Sequence, residues 1–122
     1  MSNQNQKNND KVFDLVERTE QFGEKAIEFA KVIPKNVITL PIISQFIRSA
    51  TSVGANYMEA DCAESKKDFF HKIAIAKKEA KETTHWLRMI AKATPELSED
   101  CRGLWKESHE LTLILSSIHA KK

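Results

Sequence analysis

From Phe69 to Ile90, apolar and small residues return at alternating steps of four and three: Phe69, Ile73, Ala76, Ala80, Thr83, Leu87 and Ile90. A repeat averaging 3.5 residues keeps one stripe of a helix turned toward a neighbour and is the period of a left-handed bundle seam. The same spacing links Leu97, Cys101, Leu104, Ser108, Leu111, Leu115 and Ile118, and again Leu15, Thr19, Phe22, Ala26, Phe29 and Ile33. Between these lies a segment with two overlapping stripes, Ile43, Ile47, Ala50, Gly54, Tyr57 and Phe46, Ala50, Val53, Tyr57, so its buried arc is wider than one seam. That helix should meet more than one neighbour.

The punctuation agrees with four helices. Pro34 closes the first, and Thr39 is placed to cap a second that runs to about Cys62, with Pro41 tolerated in its first turn. Ser65 and Asp68 form a near-capping box for the third, while Thr94 and Pro95 separate it from the fourth. With only three glycines and three prolines, the composition suits long helices better than hairpins. The expected fold is all-α, an antiparallel up-and-down left-handed four-helix bundle over residues 12–120. Residues 1–11, MSNQNQKNNDK, lack an apolar period and are expected to be a disordered polar tail.

A net charge of +2, from 19 basic and 17 acidic residues, supplies no global field toward nucleic acid or a membrane. Cys62 and Cys101 form no CxxC pair and read as reduced core thiols; with no leader-like start and no apolar run of membrane-spanning length, a cytoplasmic location is expected.

Enzymatic motifs are weak. Glu82-Thr-Thr-His85 has the spacing of half a carboxylate-bridged dimetal site, but a second such pair is missing from another helix. Cys62, Cys101, Ser52 and Ser108 lack a glycine-rich elbow or a convergent base, and Cys101 and Ser108 fall at core positions. No catalytic residue, metal site, cofactor or small-molecule substrate is expected.

Charge is nonetheless segregated. Lys66–Ala93 holds eight Lys or Arg against three Asp or Glu, a local +5, whereas Glu96–Ile118 holds two against five, a local −3. On helix three, Lys67, Lys78, Lys81, Arg88 and Lys92, joined by His71 and His85, fall on one stripe suited to tracking phosphates without reading bases. The plain alternative is a solvated face neutralised by Glu79 and Glu82 or by a neighbouring subunit. Trp86 and Trp105 lie just off their seams, as edge packing residues or as interface anchors.

A second polar row crosses helix two: Gln45, Arg48, Ser52, Asn56 and Glu59 recur at steps of three and four beside its apolar face. Arg48 with Ser52, and Asn56 with Glu59, are spaced to support each other at a seam between helices or subunits.

Together, SQFIRSATSVGANYMEA and SKKDFFHKIAIAKKEAKETTHWL resemble a bacterial four-helix-bundle family first noticed as reading frames within intervening sequences of 23S ribosomal RNA genes. Arg48, Ser49, Ala50, Ser52, Ala55, Asn56 and Glu59 match its helix-two pattern, and Ser65, Lys67 and Phe69 or Phe70 the start of helix three. A glycine common in the family soon after the acidic residue is replaced here by Asp61-Cys62-Ala63. The resemblance implies a left-handed bundle that assembles as a ring, commonly a homopentamer, with no established enzymatic activity. A relative, the accessory variability protein of diversity-generating retroelements, engages nucleic acid and a reverse transcriptase through a basic surface. The resulting expectation is a non-enzymatic homo-oligomer, with RNA or DNA as partner on helix three and no membrane partner. A protein-interaction scaffold without nucleic-acid binding is the alternative.

Overall fold

Asp14 accepts a hydrogen bond from the Glu17 backbone N–H at 3.3 Å and starts α1, Leu15–Val32. The computed structural model describes residues 14–122, and among these only helices and turns occur. The expected disordered tail, residues 1–11, lies outside them. After α1, Lys35 Nζ reaches back to the carbonyls of Ala30 and Lys31 at 2.7 and 3.0 Å, satisfying acceptors left open at the helix end.

The start of α2, Thr39–Asp61, differs from expectation. Asn36 is the capping side chain: its Oδ1 accepts the N–H groups of Ile38 and Thr39 at 2.9 and 3.0 Å. Thr39 is already helical, so its own N–H needs a partner; its buried hydroxyl instead accepts from the Asn36 N–H and donates to the Pro34 carbonyl, tying the loop shut. At the next corner Ser65 behaves as expected, accepting from the Asp68 N–H at 3.0 Å to open α3, Lys66–Ala93. A 3-10 turn, Pro95–Leu97, leads into α4, Ser98–His119.

Each helix packs on the next, and α1 also meets α4, which closes the up-and-down square; the α1–α4 contact is sparser than those between successive helices. Their join is reinforced by Arg18, whose guanidinium grips Glu107 through two 2.9 Å hydrogen bonds and Glu110 through a third of equal length. Glu107 and Glu110 of α4 are therefore engaged within the chain.

The apolar stripes become the core. Phe22, Ala26, Phe46, Val53, Ile73, Leu87, Ile90, Leu111 and Leu115 are almost wholly enclosed, and Phe29 meets Phe46 edge to face at 6.1 Å. Burial of side chains this size stabilises by about 1.5–3 kcal/mol each before the entropy of ordering is subtracted. The double stripe of α2 has the predicted consequence, because α2 packs extensively on both α1 and α3. Small residues set the close approach to α1: Gly54 is buried with its missing Cβ position only 3.2 Å from the Thr19 carbonyl oxygen. Cys101 is a buried thiol, but Cys62 is exposed just beyond α2, so only one cysteine belongs to the core.

Polar atoms inside the bundle are matched. Ser108 Oγ donates to the Ala80 carbonyl at 2.7 Å, joining α4 to α3, and Ser49 and Thr83 join α2 to α3. No buried side-chain nitrogen or oxygen among the described residues lacks a hydrogen-bond partner. No helix among them is long and apolar enough to cross a membrane.

Candidate nucleic-acid interface

Helical spacing lays the cations of α3 along its outer side because the opposite side carries the 3.5-residue seam. Lys67, Lys78, Lys81, Arg88 and Lys92 are all exposed, as are His71 and His85. Lys67 stands in the first turn, one turn before His71; Lys78 lies near the middle of the helix and Lys81, Arg88 and Lys92 in its second half. None of the five forms an ion pair within 4.0 Å among the described residues.

The polar row of α2 engages the two carboxylates of α3 nearest Lys78 and Lys81. Arg48 Nη1 lies 3.1 Å from Glu79 Oε1, Nη2 binds Glu82 Oε2, and Nε donates to Gln45 Oε1 at 3.1 Å. Glu82 also accepts from Trp86 Nε1 at 2.9 Å. The indole N–H, followed by Arg48, draws the Glu82 carboxyl below its ordinary value, keeping it ionised. Glu79 and Glu82 are thus drawn toward α2 and not out along the cationic stripe. Lys78 retains a weaker pull on Glu82.

The rest of the row bonds to backbone within α2 and, at Glu59, across to α3. Ser52 Oγ donates to the Arg48 carbonyl at 2.6 Å and Asn56 Nδ2 to the Ser52 carbonyl at 2.9 Å, the backbone pairing that short polar side chains adopt in helices. Asn56 does not pair with Glu59. Instead Glu59 Oε1 meets Lys72 Nζ at 2.8 Å, a second bridge from α2 to α3. Of this row, Arg48 and Glu59 bond across to α3, while Gln45, Ser52 and Asn56 bond within α2.

Two grooves open between α3 and α4. One, of about 520 Å³, is lined by Lys78, Lys81, Glu82, Thr84, His85, Arg88 and Trp105. The other, of about 530 Å³, is lined by Leu87, Arg88, Ala91, Ser98, Cys101, Arg102, Trp105 and Lys106. Arg88 and Trp105 belong to both, so the grooves meet across this pair. Half-buried Trp105 stacks on His109 with ring centroids 4.9 Å apart and planes 14° from parallel. Arg102 and Lys106 were not anticipated as site residues, and Trp105 was expected only as an edge packing residue or interface anchor. Summing helix four to −3 hid the fact that both of its bases line a groove with α3.

The Glu82/His85 motif does not converge as a ligand pair would. Glu82 is held by Arg48 and Trp86, while the His85 ring packs edge-on to Trp86 at 4.8 Å.

A crystal structure from Bacteroides thetaiotaomicron, a protein of unknown function from the S23 ribosomal protein family, is similar over 90% of this chain and 98% of its own, with a TM-score of 0.81 and 30% sequence identity. No curated protein matches. The family model for the 23S rRNA-intervening sequence protein matches residues 11–117, which include all four helices almost to the end of α4. By that match and by its fold, the chain belongs to the 23S rRNA-intervening sequence protein family.

Proposed function

We propose that this protein is a non-enzymatic, self-associating bundle that holds nucleic-acid backbone on the outer face of α3. The observation that carries the reading is the five exposed cations without ion-pair partners, next to two carboxylates drawn aside by Arg48. Cations in a row attract phosphates by displacing condensed counterions, so affinity follows salt and not sequence. Five phosphate contacts correspond to a slope of log affinity against log salt near about −3.5 for a single strand and about −4.5 for a duplex.

Self-association rests on a separate face. A groove between α1 and α2 is lined by Gly23, Thr51, Gly54 and Ala55, and flanked by exposed Ile27, Met58, Glu20 and Glu24. Small residues admit a close neighbour, and the apolar pair gives it something to bury. A closed ring joins two unlike faces of each subunit, and this edge would supply one of them while leaving the basic α3 side free.

Salt-titrated binding of unrelated RNA and DNA, combined with sedimentation, tests both parts. Lys78→Glu with Lys81→Glu should abolish binding and leave the assembly intact; Ile27→Glu with Met58→Glu should dissociate the assembly. An assembly that binds neither nucleic acid at low salt would sink the first part. The protein-scaffold reading would then lead, favoured by the exposed aliphatic corner of Val32, Val37, Ile38 and Leu40 between α1 and α2.

A further inference from the structure

We infer that the ligand of the α3 face is a single strand, whose bases enter the α3–α4 trough against Trp105 while its phosphates lie along the cations of α3. The inference rests on the nucleic-acid reading above and adds to it the strand state and the residue that selects it.

Three observations converge. The trough is continuous, because Arg88 and Trp105 line both of its halves. Its rims are basic on both sides, with Lys78, Lys81 and Arg88 on α3 and Arg102 and Lys106 on α4. Its floor is apolar and aromatic, formed by Leu87, Ala91 and Trp105. Lys78 and Lys92 stand about 21 Å apart along the helix axis, a length over which several phosphates can be contacted. A duplex keeps its base faces stacked inward, so its phosphates would touch the rims and leave the aromatic floor without a stacking partner. A single strand offers free base faces, and stacking on an indole is tolerant of sequence because every base has a π-face. One face of Trp105 is already covered by His109. That contact holds the ring in place and extends the aromatic surface by an imidazole. Glu82 is the acid that lines the trough, and Arg48 and the Trp86 N–H partner its carboxylate.

The test compares a labelled oligothymidylate with a mixed-sequence duplex of equal length by fluorescence anisotropy at low salt. The wild-type protein should bind the single strand more tightly. Trp105→Leu should weaken single-strand binding by about 5- to 100-fold and leave duplex binding unchanged. Trp105→Phe, which keeps a ring, should restore most of the loss. Since the chain has two tryptophans, Trp86→Phe combined with Glu82→Gln, which removes the carboxylate that the Trp86 N–H partners, leaves Trp105 as the sole indole, and its fluorescence should be quenched by the oligothymidylate. The quenching arm needs no change at Trp105, so the inference stays testable even if Trp105→Leu fails to fold. Equal binding of both strand states, or binding without quenching, overturns the single-strand inference and leaves the backbone-binding proposal standing. Absence of binding to either ligand overturns both.

Discussion

The hydroxyl of Thr83 on α3 lies 2.9 Å from that of Ser49 on α2, and neither residue is accessible to solvent. Each hydroxyl also reaches a backbone carbonyl on its own helix, Thr83 that of Glu79 at 2.8 Å and Ser49 that of Phe46 at 3.2 Å. The pair is a buried polar contact at the seam from which Arg48 reaches Glu79 and Glu82. Ser49→Ala and Thr83→Val should each destabilise the fold by about 1 kcal/mol in urea unfolding, because a buried neutral hydrogen bond contributes about 0.5–1.5 kcal/mol. The double variant should lose less than the sum, since replacing both partners leaves no hydroxyl in need of the other. Strict additivity would mean that the two hydroxyls stabilise the seam independently.

Gly54 and Gly103 should respond oppositely to alanine. At Gly54 a Cβ would meet the backbone of Thr19 at 3.2 Å, so α1 must move; the variant should be destabilised by about 1 kcal/mol or more despite the better helix propensity of alanine. At Gly103 nothing lies within 4 Å, the residue is exposed in mid-α4, and alanine should stabilise by about 0.5–1 kcal/mol. Thermal melts of the two variants against the parent check both signs.

The features legible in the sequence were those that repeat locally. Ile73, Ala76, Ala80, Thr83, Leu87 and Ile90 announce a buried face through their spacing alone, and all six are buried. The cationic stripe was legible for the same reason. Ser49 was not, because its core position depends on Thr83, whose nearness follows only from the packing of α2 on α3. Arg102 and Lys106 were missed because charge summed over a helix does not say which groove each base lines, whereas Trp105 stood out as an edge residue or interface anchor but not as part of a groove with α3. The cap of α2 was expected at Thr39, but Thr39 lies inside the helix, and Asn36, not anticipated as a cap, accepts its N–H.

The two cysteines should react at very different rates. Burial, with help from Asp100, pushes the Cys101 thiol up to about 11, so at neutral pH it is protonated as well as enclosed. Cys62 is exposed. Iodoacetamide applied to the native protein near neutral pH should label Cys62 alone by mass spectrometry, with Cys101 labelled only after denaturation. Equal labelling in the native state would mean that the α3–α4 groove bordering Cys101 opens readily.

Arg48 and Glu82 link stability to the proposed function. Trp86 Nε1–H and Arg48 hold the Glu82 carboxyl below 4.5, its ordinary value. A carboxyl with a depressed folded value adds stability that is complete above its unfolded value and is lost as pH falls through the folded one. Glu82→Gln should therefore flatten the decline in melting temperature between about pH 6 and about pH 3 relative to the parent. Because Glu82 and Arg48 are partly exposed, the stability lost in Arg48→Met at neutral pH should be about 1 kcal/mol or less. Its larger effect should fall on binding. Without the guanidinium, Glu79 and Glu82 are no longer drawn to α2, their charge acts on Lys78 and Lys81, and affinity for single-stranded nucleic acid at low salt should drop. Arg48→Met combined with Glu79→Gln and Glu82→Gln should restore it. If affinity falls in Arg48→Met and the triple variant fails to recover, Arg48 contacts the ligand itself and does not act by drawing the carboxylates aside.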